Sequence, residues 1–216
     1  MRFVFNIIGI FLALTSCTKL GKNVYVDGYV RNAITGEPVP NVSLRLYRGQ
    51  VSWGDPVGTA SKTLKEVTTD ANGYYKAEHL STPFNTVYIQ LGKGVEGGYI
   101  LVEGQTPTVI KKGKKKHVDF GVVPYGYLKQ TIKNTSCFNQ SDTLFFNRKY
   151  QISNISNISD VDVIYSGCVD FNSGYYKFPM GWYYISGYYK KNNVVTAFSD
   201  SIYITEGGYH EWVFEY

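Results

Sequence analysis

The 216-residue sequence is sparing with charge, proline and methionine: charged residues make up 18% of it, with 7 prolines and 2 methionines. With 44% hydrophobic residues beside so little charge and proline, the chain is neither a disordered tail nor a collagen-like repeat. Long apolar runs are also missing. Phe3 to Leu14, interrupted by Asn6 and Gly9, is the one sizeable run, and it is shorter than the roughly 20 residues a membrane-spanning helix needs. After it, no segment keeps a helical period. Aromatic rings are what the sequence has in excess, 20 Tyr and 12 Phe. Such residues lose rotamer freedom in helices and suit pleated surfaces, so the composition predicts an all-β protein.

Arg2, the apolar run and the small or polar Thr15 and Ser16 have the order of a secretion signal. Leu14-Thr15-Ser16-Cys17 resembles the lipobox of bacterial lipoproteins, in which the Cys is acylated and becomes the mature N-terminus. The resemblance implies a signal peptide at 1–16, a lipidated Cys17 with a short tether at 17–22, and anchorage by several acyl chains. Thr18 after the Cys and the basic Lys19 and Lys22 favour the outer membrane and a periplasm-facing position.

With Cys17 assigned to lipid, Cys137 and Cys168 remain as a possible disulfide in an oxidising compartment, provided the fold brings them together. The net charge of +5 is local, because Lys111, Lys112, Lys114, Lys115 and Lys116 lie in one stretch followed by His117. That run reads either as a contact for anionic headgroups or acidic glycans, or as a solvated hairpin turn with Gly113 at its tip. The compartment argues against nucleic acid as a partner.

From Asn23 the apolar residues alternate with period two. Val24, Val26 and Val30 share one face, opposite Tyr25, Asp27 and Tyr29, and Val42, Leu44 and Leu46 form the next inward set. Thr35-Gly36-Glu37-Pro38 is a turn, and Thr69-Asp70-Ala71-Asn72-Gly73-Tyr74-Tyr75 is a tight turn feeding a strand. With Val26-Asp27-Gly28-Tyr29-Val30 and Gly36-Glu37-Pro38-Val39-Pro40-Asn41-Val42, these segments resemble the carboxypeptidase regulatory-like, or prealbumin-like, β-sandwich domain over residues 23–123. The resemblance implies a seven-stranded Greek-key-like sandwich, mostly a non-catalytic accessory, with Tyr75 in the core; it supplies no catalytic residues.

Val123-Pro124-Tyr125-Gly126 punctuates the chain, and strands are predicted from Tyr127 and at 143–150, 160–171, 174–178, 181–190, 194–198, 201–205 and 209–216. Residues 124–216 are therefore expected to form a second, Tyr-rich β-sandwich in tandem with the first. Thirteen of the 20 tyrosines fall there.

Signals of chemistry are few. Gly92 to Gly97 matches G-x-G-x-x-G in letters but precedes a strand, so no helix N-terminus is offered to a pyrophosphate. Asp70-Ala71-Asn72-Gly73 begins like a calcium loop, yet its twelfth position is Ser81 instead of Glu. Asp160, Asp162 and Asp170 could meet around a cation or simply be solvated. His79, His117 and His210 show no zinc spacing, and there is no G-x-S-x-G nucleophile turn. No catalytic residue, metal or cofactor is expected. What remains is Tyr175 to Tyr189, where each Tyr-Tyr pair in a strand must send one ring in and one out. Tyr175, Tyr176, Trp182, Tyr183, Tyr184, Tyr188 and Tyr189 are the candidate binding surface, either for a glycan or partner, or as cross-strand packing. The sequence as a whole reads as a lipid-anchored, non-enzymatic binding or assembly module of a cell envelope. The alternatives are glycan binding through the second domain or an accessory hydrolase.

Overall fold

The computed structural model describes residues 22–52, 55–81, 85–92, 98–102, 107–153, 155 and 158–216. The signal segment, Cys17, its tether and most of the Gly92 to Gly97 stretch lie outside the described residues. Among those described there are sixteen strands and no helix, so the protein is all-β. Among the described residues no helix is long and apolar enough to cross a membrane. The chain divides into two compact units. One comprises residues up to Arg31 with Glu37–Lys93 and Gln105–Phe120, the other Asn32–Gly36, Gly94–Gly104 and Gly121–Tyr216.

In the first unit, β1 (Lys22–Asn32) lies between antiparallel β4 (Tyr74–Ser81) and parallel β8 (Lys115–His117). A second sheet runs β3 (Asp55–Thr68), β2 (Ser43–Ser52), β5 (Val87–Leu91), β7 (Thr108–Ile110), antiparallel throughout. Period-two patterning selects what is buried: Val24, Val26, Val30, Leu44, Leu46, Tyr75, Ala77, Val87, Ile89, Ile110 and Phe120. The turn before β4 is built by Asp70, whose Oδ1 accepts the N–H groups of Asn72 at 2.8 Å and Tyr74 at 2.9 Å. Gly73 there has φ +70°, and a Cβ would lie 2.5 Å from the Val30 carbonyl, so the position demands glycine twice over. This turn delivers Tyr75 into the interior, with its hydroxyl donating to the Val118 carbonyl at 2.7 Å.

The second unit is organised around β9 (Phe120–Lys133). It pairs antiparallel with β6 (Tyr99–Leu101), β12 (Asp170–Asn172) and β13 (Tyr176–Pro179), and parallel with β16 (Tyr209–Glu215). An antiparallel sheet, β11 (Asp160–Ser166), β10 (Thr143–Tyr150), β14 (Gly181–Lys191), β15 (Val194–Ile204), supplies its other layer. Leu128, Ile132, Leu144, Phe146, Tyr150, Tyr183, Ile185, Ile204 and Trp212 belong to one buried cluster. Residues 160–171, expected as one strand, are two strands in different sheets. Gly167, at φ +78°, breaks the run, and its N–H donates to the Asp142 carbonyl at 2.7 Å. At this switch Cys168 is bridged to Cys137, with Cα atoms 5.2 Å apart. The segments 194–198 and 201–205, expected separately, are one continuous β15.

Candidate functional site

Alternation along β14 sorts the Tyr-rich segment. Tyr183 and Ile185 turn inward and are fully buried, while Tyr189 is half-buried and packs on the same core. Trp182, Tyr184 and Tyr188 project from the opposite face, 42%, 51% and 41% exposed. Tyr183 is therefore a core residue and not part of a binding surface. Its hydroxyl donates to the Pro179 carbonyl at 2.9 Å, and burial pushes the phenol well above its ordinary range.

The pairing register arranges the outward face of this sheet in rows. Ile164, Phe145, Tyr188 and Ala197 stand side by side across the four strands; next come Asp162, Asn147, Ser186 and Ser199, and then Asp160, Lys149, Tyr184 and Ser201. Trp182 and Tyr203 follow as a cross-strand pair with ring centroids 5.2 Å apart. Trp182 also lies nearly parallel to Tyr184, at 15° and 6.4 Å, and Phe145 meets Tyr188 at 5.5 Å. Two aromatic ridges thus flank a row of short polar side chains. Tyr184 and Tyr188, four residues apart along the strand, are about 13 Å apart at ~3.4 Å per residue. Rings offer apolar faces, and the row between them offers the hydroxyls of Ser186 and Ser199 and the carboxylate of Asp162, with the Asn147 amide holding that carboxylate in place; the face therefore combines stacking surface with hydrogen-bonding capacity.

Beside that row Asn147 Nδ2 donates to Asp160 Oδ1 at 2.5 Å and to Asp162 Oδ1 at 2.8 Å, so the amide bridges this acidic pair. Asp170 lies on a different sheet, facing Lys133 Nζ at 3.4 Å. The three aspartates do not meet, and among the described residues no group of three His, Cys, Asp or Glu could hold a metal ion.

Tyr175 and Tyr176 belong elsewhere, beside β9 and β16. Tyr209 stacks on Tyr127 at 4.6 Å and 9°, and Tyr175 meets Tyr209 edge-on at 5.1 Å. The Tyr175 hydroxyl donates to Glu211 Oε1 at 2.6 Å, and Lys129 Nζ reaches the same oxygen at 3.3 Å. The bond to Glu211 raises the Tyr175 phenol pKa and, with Lys129, lowers that of the Glu211 carboxyl. Sequence reading missed Phe145, Tyr203, Tyr127 and Tyr209 as surface rings. Each sits in an alternating run, but only cross-strand register places it beside its partner.

The lysine run is not a hairpin tip. It is the crossover from β7 in one sheet of the first unit to β8 in the other, turning at Gly113, which has φ +76°. Lys115 Nζ contacts Asp27 Oδ2 at 2.5 Å, and Lys116 Nζ donates to the Val109 carbonyl at 2.9 Å. A concavity of about 410 Å³ is lined by Val109, Lys111, Lys114, Lys115 and Lys116. Asp27, expected to face outward, is 4% exposed because this crossover covers it. It also takes His117 Nδ1 at 2.9 Å and the Tyr74 hydroxyl at 3.3 Å, and His117 Nε2 lies 3.1 Å from Asp119 Oδ1. Burial pushes the Asp27 carboxyl up, but the hydrogen bonds from Lys115 and His117 together outweigh it, leaving it below the usual range. The bond to Asp27 raises the His117 imidazole. With a carboxylate at each ring nitrogen, the arrangement suits the imidazolium form and fastens β8 to β1.

No protein-family model matches the chain, and no curated protein does. Among solved structures the chain is similar to the Bacillus anthracis TIE protein, at 15% identity and a TM-score of 0.37, over 90% of this chain and 34% of that one. It therefore spans about a third of that protein's length. Similar too are the minor pilin GBS52 of Streptococcus agalactiae (12% identity, TM-score 0.34, 89% of this chain and 94% of that one) and the shaft pilin SpaA of Lactobacillus rhamnosus GG, as its E269A/D295N double mutant (9% identity, TM-score 0.34, 90% and 97%). At such identities and TM-scores these likenesses carry no functional conclusion.

Proposed function

We propose that this chain is a lipid-anchored, non-catalytic binding module of a cell envelope, and that the outward face of the β11-β10-β14-β15 sheet takes a saccharide chain. The carrying observation is the placement of Trp182, Tyr184 and Tyr188 on one exposed face, with Phe145 and Tyr203 beside them and the polar row of Asp162, Asn147, Ser186 and Ser199 between the ridges. A sugar ring has apolar C–H faces that stack on aromatic rings and equatorial hydroxyls that seek amide, hydroxyl and carboxylate partners, so this combination fits it chemically. Anchorage rests on the lipobox-like Leu14 to Cys17, the outer-membrane position on Thr18 after the Cys, and the periplasm-facing position on the basic Lys19 and Lys22. In this reading the first unit is a carboxypeptidase regulatory-like accessory. That assignment rests on the turn motifs and on the burial of Tyr75 by the Asp70–Gly73 turn.

The deciding experiment is affinity electrophoresis of the mature chain through gels containing envelope polysaccharides. Retardation by one of them, lost in Trp182→Ala/Tyr184→Ala/Tyr188→Ala and kept in Tyr175→Ala/Tyr209→Ala, is expected. Equal retardation of both variants, or none for the wild type on any polysaccharide, would refute the assignment. For the anchor, mass spectrometry of the native protein should find acyl chains on Cys17, and Cys17→Ala should abolish membrane association.

A further inference from the structure

The β15 strand ends its sheet, pairing with β14 along its whole length and presenting its other side to no strand among the described residues. The direction of its backbone groups follows from two independent details. Asn192 and Asn193, both with positive φ, make a two-residue turn between β14 and β15, so Lys191 and Val194 form a hydrogen-bonded pair and every even-numbered residue of β15 bonds to β14. Consistent with that parity, the N–H of Ser201 is taken by its neighbour's carboxylate, Asp200 Oδ1, at 2.7 Å. The N–H and C=O groups of Val195, Ala197 and Ser199 accordingly point away from the sheet.

Open edges ordinarily carry charge, proline or a bulge that discourages pairing. The opposite edge of this sheet, β11, has Asp160 and Asp162, and β16 has Glu211 and Glu215. From Val194 to Ser199 the β15 edge is Val-Val-Thr-Ala-Phe-Ser, without charge, proline or irregular register, and Val194 and Val195 are 65% and 59% exposed.

We infer that this edge pairs with the same edge of a second copy of the chain, antiparallel and centred on Ala197. That register sets Val195 opposite Ser199 and Ala197 opposite itself, so outward-pointing residues face outward-pointing residues, as an antiparallel hydrogen-bonded ladder requires. It also matches charge. Asp200, whose carboxylate accepts the Ser201 N–H at 2.7 Å and the Trp212 indole N–H at 2.8 Å, would stand opposite Val194 of the second copy, whose own neighbour on β14 is Lys191, so an acidic and a basic side chain would lie two strands apart in one row on one face of the joined sheet. The two-fold axis makes the same row twice. A parallel arrangement would set Asp200 beside Asp200. The joined sheet would have eight strands, with both aromatic faces on the same side. The pairing itself does not depend on what those faces bind.

The test uses the mature chain with Cys17→Ser, followed by sedimentation over a concentration series. The expected wild-type mass rises to that of two chains. Ala197→Pro removes an N–H that faces away from β14, so it should stay monomeric with an unchanged circular dichroism spectrum and melting temperature. Should the proline disturb folding, Ala197→Lys, which sets two like charges across the axis, is the replacement and should be monomeric. Ala197→Cys should crosslink two chains on mild oxidation, because facing Cα atoms in a hydrogen-bonded pair lie about 5.5 Å apart. Ser199→Cys, offset by four residues from its copy, should not. A wild type that stays monomeric throughout, folded Ala197 variants that dimerise like the wild type, or crosslinking at 199 and not at 197 would each overturn the inference.

Discussion

Replacing both bridged cysteines with serine tests how the second unit is held. Cys137 and Cys168 close a loop of 31 residues that contains all of β10 and β11. The loop-closure relation for that length gives about 3.7 kcal/mol at 25 °C, acting through the entropy of the unfolded chain. The native ends do not depend on sulfur alone. Asn134 Nδ2 donates to Asp142 Oδ2 at 3.0 Å and to the Gly167 carbonyl at 3.2 Å, and the Asn134 N–H donates to the Val169 carbonyl at 2.8 Å. The Cys137→Ser/Cys168→Ser protein should therefore fold to the same structure with a large loss of stability. Urea unfolding followed by tryptophan fluorescence reads this, since Trp182 and Trp212 both lie in the second unit. With a slope near 2 kcal/mol per molar, the midpoint should drop by about 2 M, and the slope should rise because the uncrosslinked unfolded chain exposes more surface. An unmoved midpoint would refute both the bridge and the entropy argument, as would two free thiols in the folded native protein.

Three further predictions address the packing and the buried carboxylate. Gly28→Ala sets a Cβ 1.8 Å from the Val118 carbonyl, so the crossover must shift and the melting temperature should fall, corresponding to about 1–3 kcal/mol or more, whereas Gly49→Ala, with nothing within 4 Å, should be neutral. Tyr183→Phe orphans the Pro179 carbonyl and should cost about 1–2 kcal/mol in chemical denaturation, and Tyr183→Ala about 3–5 kcal/mol. For Asp27, whose pKa is lowered from 3.8 on folding, the stabilisation is present above 3.8 and lost as pH falls through the lower folded value. For His117, raised from 6.5, it is complete below 6.5 and lost as pH rises through the higher folded value. Melting temperature against pH should thus show a plateau between those limits, with losses on both sides, and Asp27→Asn should flatten both. Unchanged flanks in Asp27→Asn would remove the cluster from the explanation.

Strands were legible where one face is apolar and the other is not: Val24, Val26 and Val30, or Val87, Ile89 and Leu91, need only alternation. Asp27 was not, because period two assigns a face but does not say what covers it; a crossover 90 residues later in the chain turned an outward position into a buried one. The lysine run misled in the same way, since a turn sequence reads alike whether its flanks pair with each other or with different sheets. At the candidate site, the in-and-out alternation of Trp182 to Tyr189 followed from the pleat. The rings of Phe145 and Tyr203 joined it through cross-strand register, which depends on partners far away in sequence.

The second unit is assembled from three stretches of chain, not one. Ile34 and Ile100, contributed by the segments Asn32–Gly36 and Gly94–Gly104, pack against the same core as Tyr183 and Trp212. A fragment cut at Pro124 to isolate the aromatic sheet would therefore leave part of its hydrophobic wall behind in the discarded half. Loss of binding by such a fragment would report a missing buttress, and would say nothing about the binding face itself. Experiments that seek to separate the units are better done by substitution within the whole chain than by truncation.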